Sequence, residues 1–307
     1  MITIRGGEIR LPEPCVLAVG KFESIHLGHR ALIANMIRLA NGTGQNKLAT
    51  ALVVFEPHPY RVLFDTGYKP LLTSREREHL VKDLGVDYLL EYPFNRDFAA
   101  LSAEDFCHKL FNELQARIVV VGEGYRFGNK RAGTVDTLQQ TARLFDAQVH
   151  VVTPQRLGKD NGTVLLSTGG NNKPFQIEDR RTVPLSSSAI RALLSANKLA
   201  EAEKLLGYPF FVMTKAVPTG QSGYIANPQT ISLCIAKDKF LPDDGVYTTR
   251  TIVDGRSFQG ITTLGSKPLA GGDDIRTVET HLRDFDGSEL YGKYVRTEFF
   301  DESDKGF

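Results

Sequence analysis

The stretch CVLAVGKFESIHLGHRALIANMIRLA, Cys15 to Ala40, decides the fold of the first half of this chain. Its opening residues up to Val19 form an apolar run of strand length, and apolar side chains recur at helical spacing from Leu27 onward. Two histidines, His26 and His29, therefore lie where a buried strand passes into a helix.

Further apolar runs of strand length follow, and segments with helical periodicity separate them. Strands that alternate with helices predict βαβ units and a parallel sheet covered on both faces, an α/β Rossmann-like fold. In such sheets ligands bind beyond the carboxyl ends of the strands, where we expect Gly20, Phe55–Pro59 and Gly122–Gly128. The further runs are LATALVVFEP (48–57), VDYLLEYPF (86–94), ARIVVVGEG (116–124) and AQVHVVTP (147–154).

The pattern changes after the helical segment Ser186–Gly207. Short strand-like runs separated by Gly, Asp and Pro turns predict a small antiparallel β-barrel. We place the boundary near Leu206, which gives domains 1–206 and 207–307. The polar stretch Gly158–Arg181 predicts an exposed hairpin or loop. The short runs are FFVMTKAV, TISLCIA, GVYTTRTIV, QGITTL, TVETHLRDF and YVRTEFF.

Composition excludes several classes of protein. Lysine plus arginine (37) nearly equals aspartate plus glutamate (36), which argues against nucleic acid or an anionic membrane as partner. The three cysteines lack CxxC spacing, so neither a disulfide framework nor structural zinc is expected, and no residue is predicted to ligate a metal. No apolar run has the length of a signal peptide core or a membrane span, so we expect a cytoplasmic protein.

The histidines of HLGH are candidates for phosphate binding. Positions i and i+3 share one helix face, and the free N–H groups and positive dipole end of a helix attract anions. Gly28 between the histidines lets a nucleotide approach the backbone. The simpler interpretation is that one or both histidines only cap or pack against the helix.

A second candidate is PLSSSAIRALL (184–194), in which hydroxyls precede a helix and Arg191 lies one turn inside it. Hydroxyls, backbone N–H groups and a guanidinium in this order suit a phosphate chain. Serines before a helix are also ordinary N-caps, and that alternative stays open.

A strand-end histidine pair followed much later by a serine-rich turn and an arginine resembles the HxGH nucleotidyltransferase superfamily. The resemblance implies that an attacking oxyanion displaces pyrophosphate from the α-phosphate of a nucleotide, with Mg²⁺ sharing the charge. His26 and His29 would steady the α-phosphate, and Ser187, Ser188 and Arg191 would hold the leaving phosphates.

Three further segments narrow the resemblance: VVFEPHPYRVL (53–63), FNRDFAALSAEDF (94–106) and VVGEGYRFGNKRAGTVDTL (120–138). Together they resemble the N-terminal module of bacterial FAD synthetases, the bifunctional riboflavin kinase/FMN adenylyltransferase family. For Phe55 and Phe127, ordinary packing at a sheet end is the favoured interpretation, and an aromatic ring that faces the isoalloxazine ring of the flavin is the alternative. The implied flavin-binding residues are Phe55, Pro57, His58, Pro59, Gly122, Tyr125 and Phe127, and the implied ATP-binding residues are Gly20, Phe22, Gly28, Arg126, Ser187 and Ser188.

The second half is similar to the kinase barrel of the same family in LPDDGVYTT, TLGSKP and TVETHLRDFDGSELYGKYV. The kinase loop of the family reads GxxxGxPTAN, whereas the corresponding stretch here reads GYIANPQTIS (223–232). Thr230 keeps its place, Ser232 replaces the asparagine, and Glu279 matches the presumed catalytic base. We therefore interpret Thr230, Ser232 and Glu279 as a kinase remnant. The family's G-x-F-D also becomes GKFE, so Glu23 carries its carboxylate one methylene further out.

The sequence thus predicts an FMN adenylyltransferase that makes FAD and pyrophosphate from FMN and MgATP without riboflavin kinase activity. Its partners are these small molecules, with neither nucleic acid nor membrane, and its oligomeric state is not predicted. The alternatives are the full bifunctional enzyme and a flavin-binding sensor without turnover.

Overall fold

The structure is a computed structural model that describes residues 1–42, 47–64, 67–153, 185–218, 229–267, 275–285 and 290–301. The predicted loop Gly158–Arg181 lies outside the described residues, as do residues 223–228 of the kinase-type loop. Contacts divide the chain into two compact units: Met1–Tyr68 with Arg77–Pro184, and Lys69–Glu76 with Leu185–Phe307. The domain division at Leu206 stays a prediction beside these contact-based units.

The first unit contains a six-stranded sheet in which all pairings are parallel, in the order β1-β4-β3-β2-β5-β6. The predicted α/β fold is therefore confirmed. Only β1 was not predicted, because it is short and its side chains are at least partly exposed. The strands are β1 (Ile2–Arg5), β2 (Cys15–Val19), β3 (Ala49–Glu56), β4 (Tyr88–Pro93), β5 (Ala116–Gly122) and β6 (Gln148–Val152).

Helices connect these strands, and two of them, α1 and α6, pack directly on strands of the sheet. Helix α6 begins with a capping box, in which Thr134 and Thr137 exchange side-chain to backbone hydrogen bonds. Helix α5 continues into a π-helical turn, Lys109–Glu113. The helices of this part of the chain are α1 (Leu27–Asn41), α2 (Pro59–Phe64), α3 (Ser74–Asp83), α4 (Arg96–Ala99), α5 (Ala103–His108) and α6 (Val135–Leu144).

The strand order reverses at β2, which pairs with β3 on one side and with β5 on the other. Beyond the carboxyl ends of the two strands at such a reversal, an α/β sheet opens a crevice for a ligand. Every residue of Cys15–Val19 is buried, so this strand is the rigid centre of the unit. The loop that follows Val19 is the HLGH segment.

The second unit contains a closed antiparallel barrel with strand order β10-β11-β8-β7-β12-β9, which confirms the predicted barrel. Its interior holds a chain of buried hydroxyls, since Thr262 bonds Thr249 at 2.9 Å and Thr280 at 2.8 Å. The strands are β7 (Phe211–Pro218), β8 (Thr230–Leu233), β9 (Gly245–Val253), β10 (Arg256–Lys267), β11 (Ile275–Leu282) and β12 (Tyr294–Phe300).

In the part of the barrel unit that the structure describes, α7 (Ser187–Ser195) and α8 (Leu199–Leu206) are the helices that lie wholly within the unit. The carboxylate of Asp301, just after β12, accepts hydrogen bonds from the N–H groups of Leu199 and Ala200 at 3.1 and 2.9 Å. These bonds satisfy the first turn of α8 and fix the helix to the barrel. Among the described residues, no helix is long and apolar enough to cross a membrane.

Candidate active site

His26 caps helix α1 with its side chain. Its backbone is extended (φ −62°, ψ 172°), and its Nδ1 accepts a hydrogen bond from the backbone N–H of His29 at 3.2 Å. An acceptor nitrogen carries no proton, so a neutral His26 ring holds its proton on Nε2. The sequence left open that a histidine caps this helix, and the structure shows that His26 does so. The cap uses only Nδ1, so Nε2–H remains a donor.

His29 lies against His26 and Phe22. The two imidazole rings are stacked, with centroids 3.8 Å apart and planes 9° apart, and the Phe22 ring is 4.9 Å from that of His29. His29 Nδ1 is buried and has no hydrogen-bond partner among the residues that the structure describes. A buried ring nitrogen in that position is a group that a bound phosphate or water would satisfy.

Both histidines are neutral near pH 7. Burial lowers the pKa of His26 to about 4, and burial together with the neighbouring His26 lowers the pKa of His29 well below 6.5. At that pH the two rings can form hydrogen bonds but are not fixed cations. The positive potential at this point comes from the N-terminus of α1, whose first turn contains no acidic residue.

The loop that carries these histidines has a strained backbone. Phe22 (φ 42°) and Ile25 (φ 43°) occupy the left-handed region and are 1% and 0% exposed. A β-branched residue there is unusual, and such strain concentrates at functional sites. A Cβ on Gly20 would lie 3.1 Å from the Phe22 ring, so Gly20 makes room for that ring. Gly28 is the second residue of α1.

Glu23 and His58 meet at the ends of β2 and β3. Glu23 Oε2 is 4.0 Å from His58 Nε2, and both side chains are buried. The His58 ring also stacks on Tyr68, with centroids 4.5 Å apart. The Glu23 carboxylate, one methylene further out than that of an aspartate, therefore lies near the His58 ring.

A continuous row of aromatic rings joins the two predicted flavin segments. Phe98 contacts Phe55 at 5.6 Å and Phe106 at 6.2 Å, and Phe106 contacts Phe127 at 5.5 Å between ring centroids. Phe127 is 6% exposed and belongs to the core, while Phe55 is half-buried. Phe98 and Phe106 belong to the segment FNRDFAALSAEDF, which resembles the family, but the sequence alone did not single them out. The row becomes visible only once the strand order is known.

The YRFG turn, residues 125–128, is fixed by backbone contacts. Tyr125 N–H donates to the Gly122 carbonyl at 3.0 Å, and the Tyr125 ring stacks on that of Phe127. Gly128 has φ +71°, and a Cβ there would lie 2.8 Å from the backbone nitrogen of Ala103. Burial raises the pKa of Tyr125, and the Arg126 side chain is exposed. Of the FEPHP prolines, Pro57 is half-buried, and Pro59 is buried and begins α2.

The serine-rich turn lies in the barrel unit, at the beginning of α7. Ser186 is the N-cap and accepts from the N–H of Ala189 at 3.2 Å, while Ser187 and Ser188 are the first helical residues. The Arg191 guanidinium donates to the Lys69 carbonyl at 2.8 Å. The N-cap serine that the sequence left open as an alternative is therefore Ser186, which directly precedes the predicted phosphate-binding pair Ser187 and Ser188.

The kinase-remnant residues lie together on the barrel. Glu279 is directly opposite Ser232, and His281 is opposite Thr230, whose Oγ1 is 3.2 Å from His281 Nδ1. The side chains of Thr230, Ser232 and Glu279 are half-buried, and they alternate along β8 and β11 with buried ones such as Ile231. These residues therefore share the outer face of the barrel.

Comparisons with known proteins agree with both parts of the chain. Residues 8–165 match the model of the FAD synthetase family, and residues 206–303 match that of the riboflavin kinase family. The bifunctional riboflavin kinase/FMN adenylyltransferase of Escherichia coli K12 is 31% identical over 289 residues, covering 92% of this chain and 82% of the relative. The protein of the same description from Haemophilus influenzae is 27% identical over 294 residues, covering 94% of this chain and 86% of the relative.

A solved structure from Streptococcus pneumoniae, described as a macrolide-efflux protein, has a TM-score of 0.77 at 24% sequence identity. The similarity covers 98% of this chain and 90% of that one. At this level of identity the likeness concerns the fold alone.

Proposed function

The chain belongs to the family of bifunctional riboflavin kinase/FMN adenylyltransferases, and on that premise we propose that it makes FAD from FMN and ATP without phosphorylating riboflavin. Its N-terminal part is a FAD synthetase domain, and the protein is an enzyme of the nucleotidyltransferase class. In the proposed reaction, a phosphate oxygen of FMN attacks the α-phosphorus of ATP. The bond from that phosphorus to the bridging oxygen of the β-phosphate breaks, and pyrophosphate leaves.

The observation that carries the proposal is the hydrogen bond from the His29 N–H to His26 Nδ1. It fixes the His26 tautomer, so Nε2–H donates to an oxygen of the α-phosphate as charge develops there. His29 is stacked on the same ring and supplies a second ring donor. Two neutral donors at a helix N-terminus stabilise a phosphate anion. Because neither histidine carries a fixed charge, neither forms an ion pair that would slow the release of product.

We assign the leaving phosphates to Ser187, Ser188 and Arg191. The first two residues of α7 offer backbone N–H groups and hydroxyls, and a guanidinium binds phosphate through paired N–H donors. The phosphates of ATP would carry the Mg²⁺ ion, because this ion takes most of its ligands from phosphate and water. When bound, it would neutralise charge on the transferred and leaving groups.

We assign flavin binding to the residues of the FEPHP and YRFG segments. Phe55 and Phe127 support the pocket through the aromatic row, while His58 and Tyr125 bring polar groups to it. We assign the guanidinium of Arg126, which is exposed, to ATP binding. The remaining residues of the assignment are Pro57, Pro59 and Gly122 for flavin, and Gly20, Phe22 and Gly28 for ATP.

Loss of the kinase reaction is supported by the loop GYIANPQTIS, in which the family's phosphate-approaching glycine, proline and asparagine are all replaced. A catalytic base such as Glu279 does not suffice for phosphoryl transfer when no residues bind the phosphates of ATP and align them. One observation favours the bifunctional alternative: Glu279 is still directly opposite Ser232, next to the Thr230 and His281 pair. The residues of the kinase remnant therefore lie next to one another on β8 and β11.

The test is to incubate the purified full chain with MgATP and either riboflavin or FMN and to resolve the flavins by chromatography. FAD from FMN, with riboflavin unchanged, is the expected result. FMN or FAD from riboflavin would establish the bifunctional alternative. The absence of product from both flavins would overturn both.

A further inference from the structure

Three successive backbone carbonyls, those of Lys69, Pro70 and Leu71, are bound by three donors of the barrel unit. The Arg191 guanidinium donates to the Lys69 carbonyl at 2.8 Å, and the Phe240 N–H donates to that of Pro70 at 3.0 Å. The Lys239 ammonium group donates to the carbonyl of Leu71. Residues 69–71 therefore join helix α7 to the loop that contains Lys239 and Phe240.

Phe240 also touches Arg191 directly. The guanidinium carbon of Arg191 lies 4.7 Å from the centroid of the Phe240 ring, a distance typical of a cation–π contact. One donor atom of the guanidinium is thus fixed by the Lys69 carbonyl and its plane is supported by an aromatic face. A guanidinium carries five N–H donors in a planar fork, a geometry that suits a phosphate group.

A buried ion pair holds the Lys69–Glu76 segment in place. Lys239 Nζ is 2.8 Å from Glu76 Oε2, and the two side chains are 1% and 2% exposed. The Glu76 carboxylate also accepts hydrogen bonds from the N–H groups of Met213 at 2.8 Å and Thr73 at 2.7 Å. A buried pair whose remaining lone pairs are satisfied is rigid, because breaking it leaves an uncompensated charge.

We propose that Phe240 is a positioning residue for adenylyl transfer, because its ring and backbone N–H help to hold Arg191, the residue assigned above to the leaving phosphates. Lys239 and Glu76 fix the segment whose carbonyl binds the same guanidinium. This inference rests on the role proposed above for Arg191.

The experiment uses the full chain and two substitutions. Phe240→Leu removes the aromatic face but keeps the backbone N–H and an apolar side chain, and Phe240→Tyr keeps the face. We expect Phe240→Leu to raise the KM for ATP, and the KM for pyrophosphate in the reverse reaction, by about fivefold, the size of a partly exposed cation–π contact. The KM for FMN should not change, and Phe240→Tyr should behave like the wild type.

A double-mutant cycle with Arg191→Ala separates positioning from general damage. In the Arg191→Ala background, Phe240→Leu should have no further effect on the KM for ATP. The matched control is Phe300→Leu, because Phe300 lies 5.4 Å below Arg250 in the same barrel, and it should leave both KM values unchanged. Phe240→Met repeats the test if the leucine variant does not fold.

Two outcomes would overturn this inference alone. In the first, Phe240→Leu changes the KM for ATP equally in both backgrounds. In the second, Phe240→Leu has no effect in the wild type, although Arg191→Ala raises the KM for ATP. No effect of Arg191→Ala on either KM value would overturn the role proposed for Arg191 and this inference with it.

Discussion

The imidazole rings of His26 and His29 are stacked 3.8 Å apart, and the backbone N–H of His29 donates to Nδ1 of His26. One hydrogen bond thus caps helix α1, sets the tautomer of His26 and fixes the position of His29. Because we assign both folding and chemistry to the same atoms, the two roles are separable only by substitutions that keep one of them. The predictions below use that separation.

His29→Ala should lower kcat by at least about 100-fold and change the KM for ATP less than about threefold, because the ring acts on charge that develops in the transition state. The backbone N–H that bonds His26 is unaffected. Steady-state kinetics with FMN at saturating MgATP is the measurement. His79→Ala is the control, since His79 lies on α3 beside Asp83, and near-normal turnover of the His29 variant would contradict the assignment.

The stability of the chain should fall between pH 6.5 and pH 4. An unfolded histidine has a pKa near 6.5, whereas burial lowers that of His26 to about 4, so the unfolded chain binds more protons in this window. The free energy of unfolding therefore rises with pH up to about 6.5 and is then constant with respect to this group. From pH 7 to pH 5, His26 alone accounts for a loss on the order of 2 kcal/mol.

His26→Asn keeps a good N-cap acceptor and removes one of two titrating rings, so it should reduce this dependence. The part due to His29, whose pKa is also lowered by burial, should remain. Urea unfolding followed by circular dichroism at several pH values measures it, because the chain contains no tryptophan. A variant with the same slope as the wild type would show that the dependence arises elsewhere.

Gly128→Ala should destabilise the chain by about 3 kcal/mol, because the new Cβ meets the Ala103 backbone and φ is +71°. Gly124→Ala is the matched control in the same segment. A Cβ at Gly124 has no neighbour within 4 Å, and its substitution should change stability by less than about 1 kcal/mol. Equal urea midpoints for the two variants would contradict the packing argument.

Phe98→Leu should raise the KM for FMN about tenfold and leave the KM for ATP unchanged, because Phe98 is the ring that links Phe55 to Phe106. Phe145→Leu is the comparison, since Phe145 is also half-buried and stacks on Phe111 at 5.6 Å. If both variants alter the KM for FMN alike, the aromatic row has no specific part in flavin binding.

The elements that could be predicted from sequence are those with a local signature. The buried runs of β2 and β5, the periodicity of α1 and the six short runs of the barrel each follow from side chains a few residues apart. The position of His26 and His29 followed in the same way, because a strand that passes into a helix is a local event. Strand β1 was not predicted, because Ile2–Arg5 has no buried apolar run.

Only the tertiary structure decided which distant residues meet. The approach of Glu23 to His58, the row from Phe55 to Phe127, and the seat of Arg191 on Phe240 all depend on strand order and on the path of connecting segments. The spacing of residues along a chain does not encode that order. The sequence by itself thus determined the fold class, the family and the kinds of chemical groups available, whereas packing determined that the histidines are neutral and where each group lies.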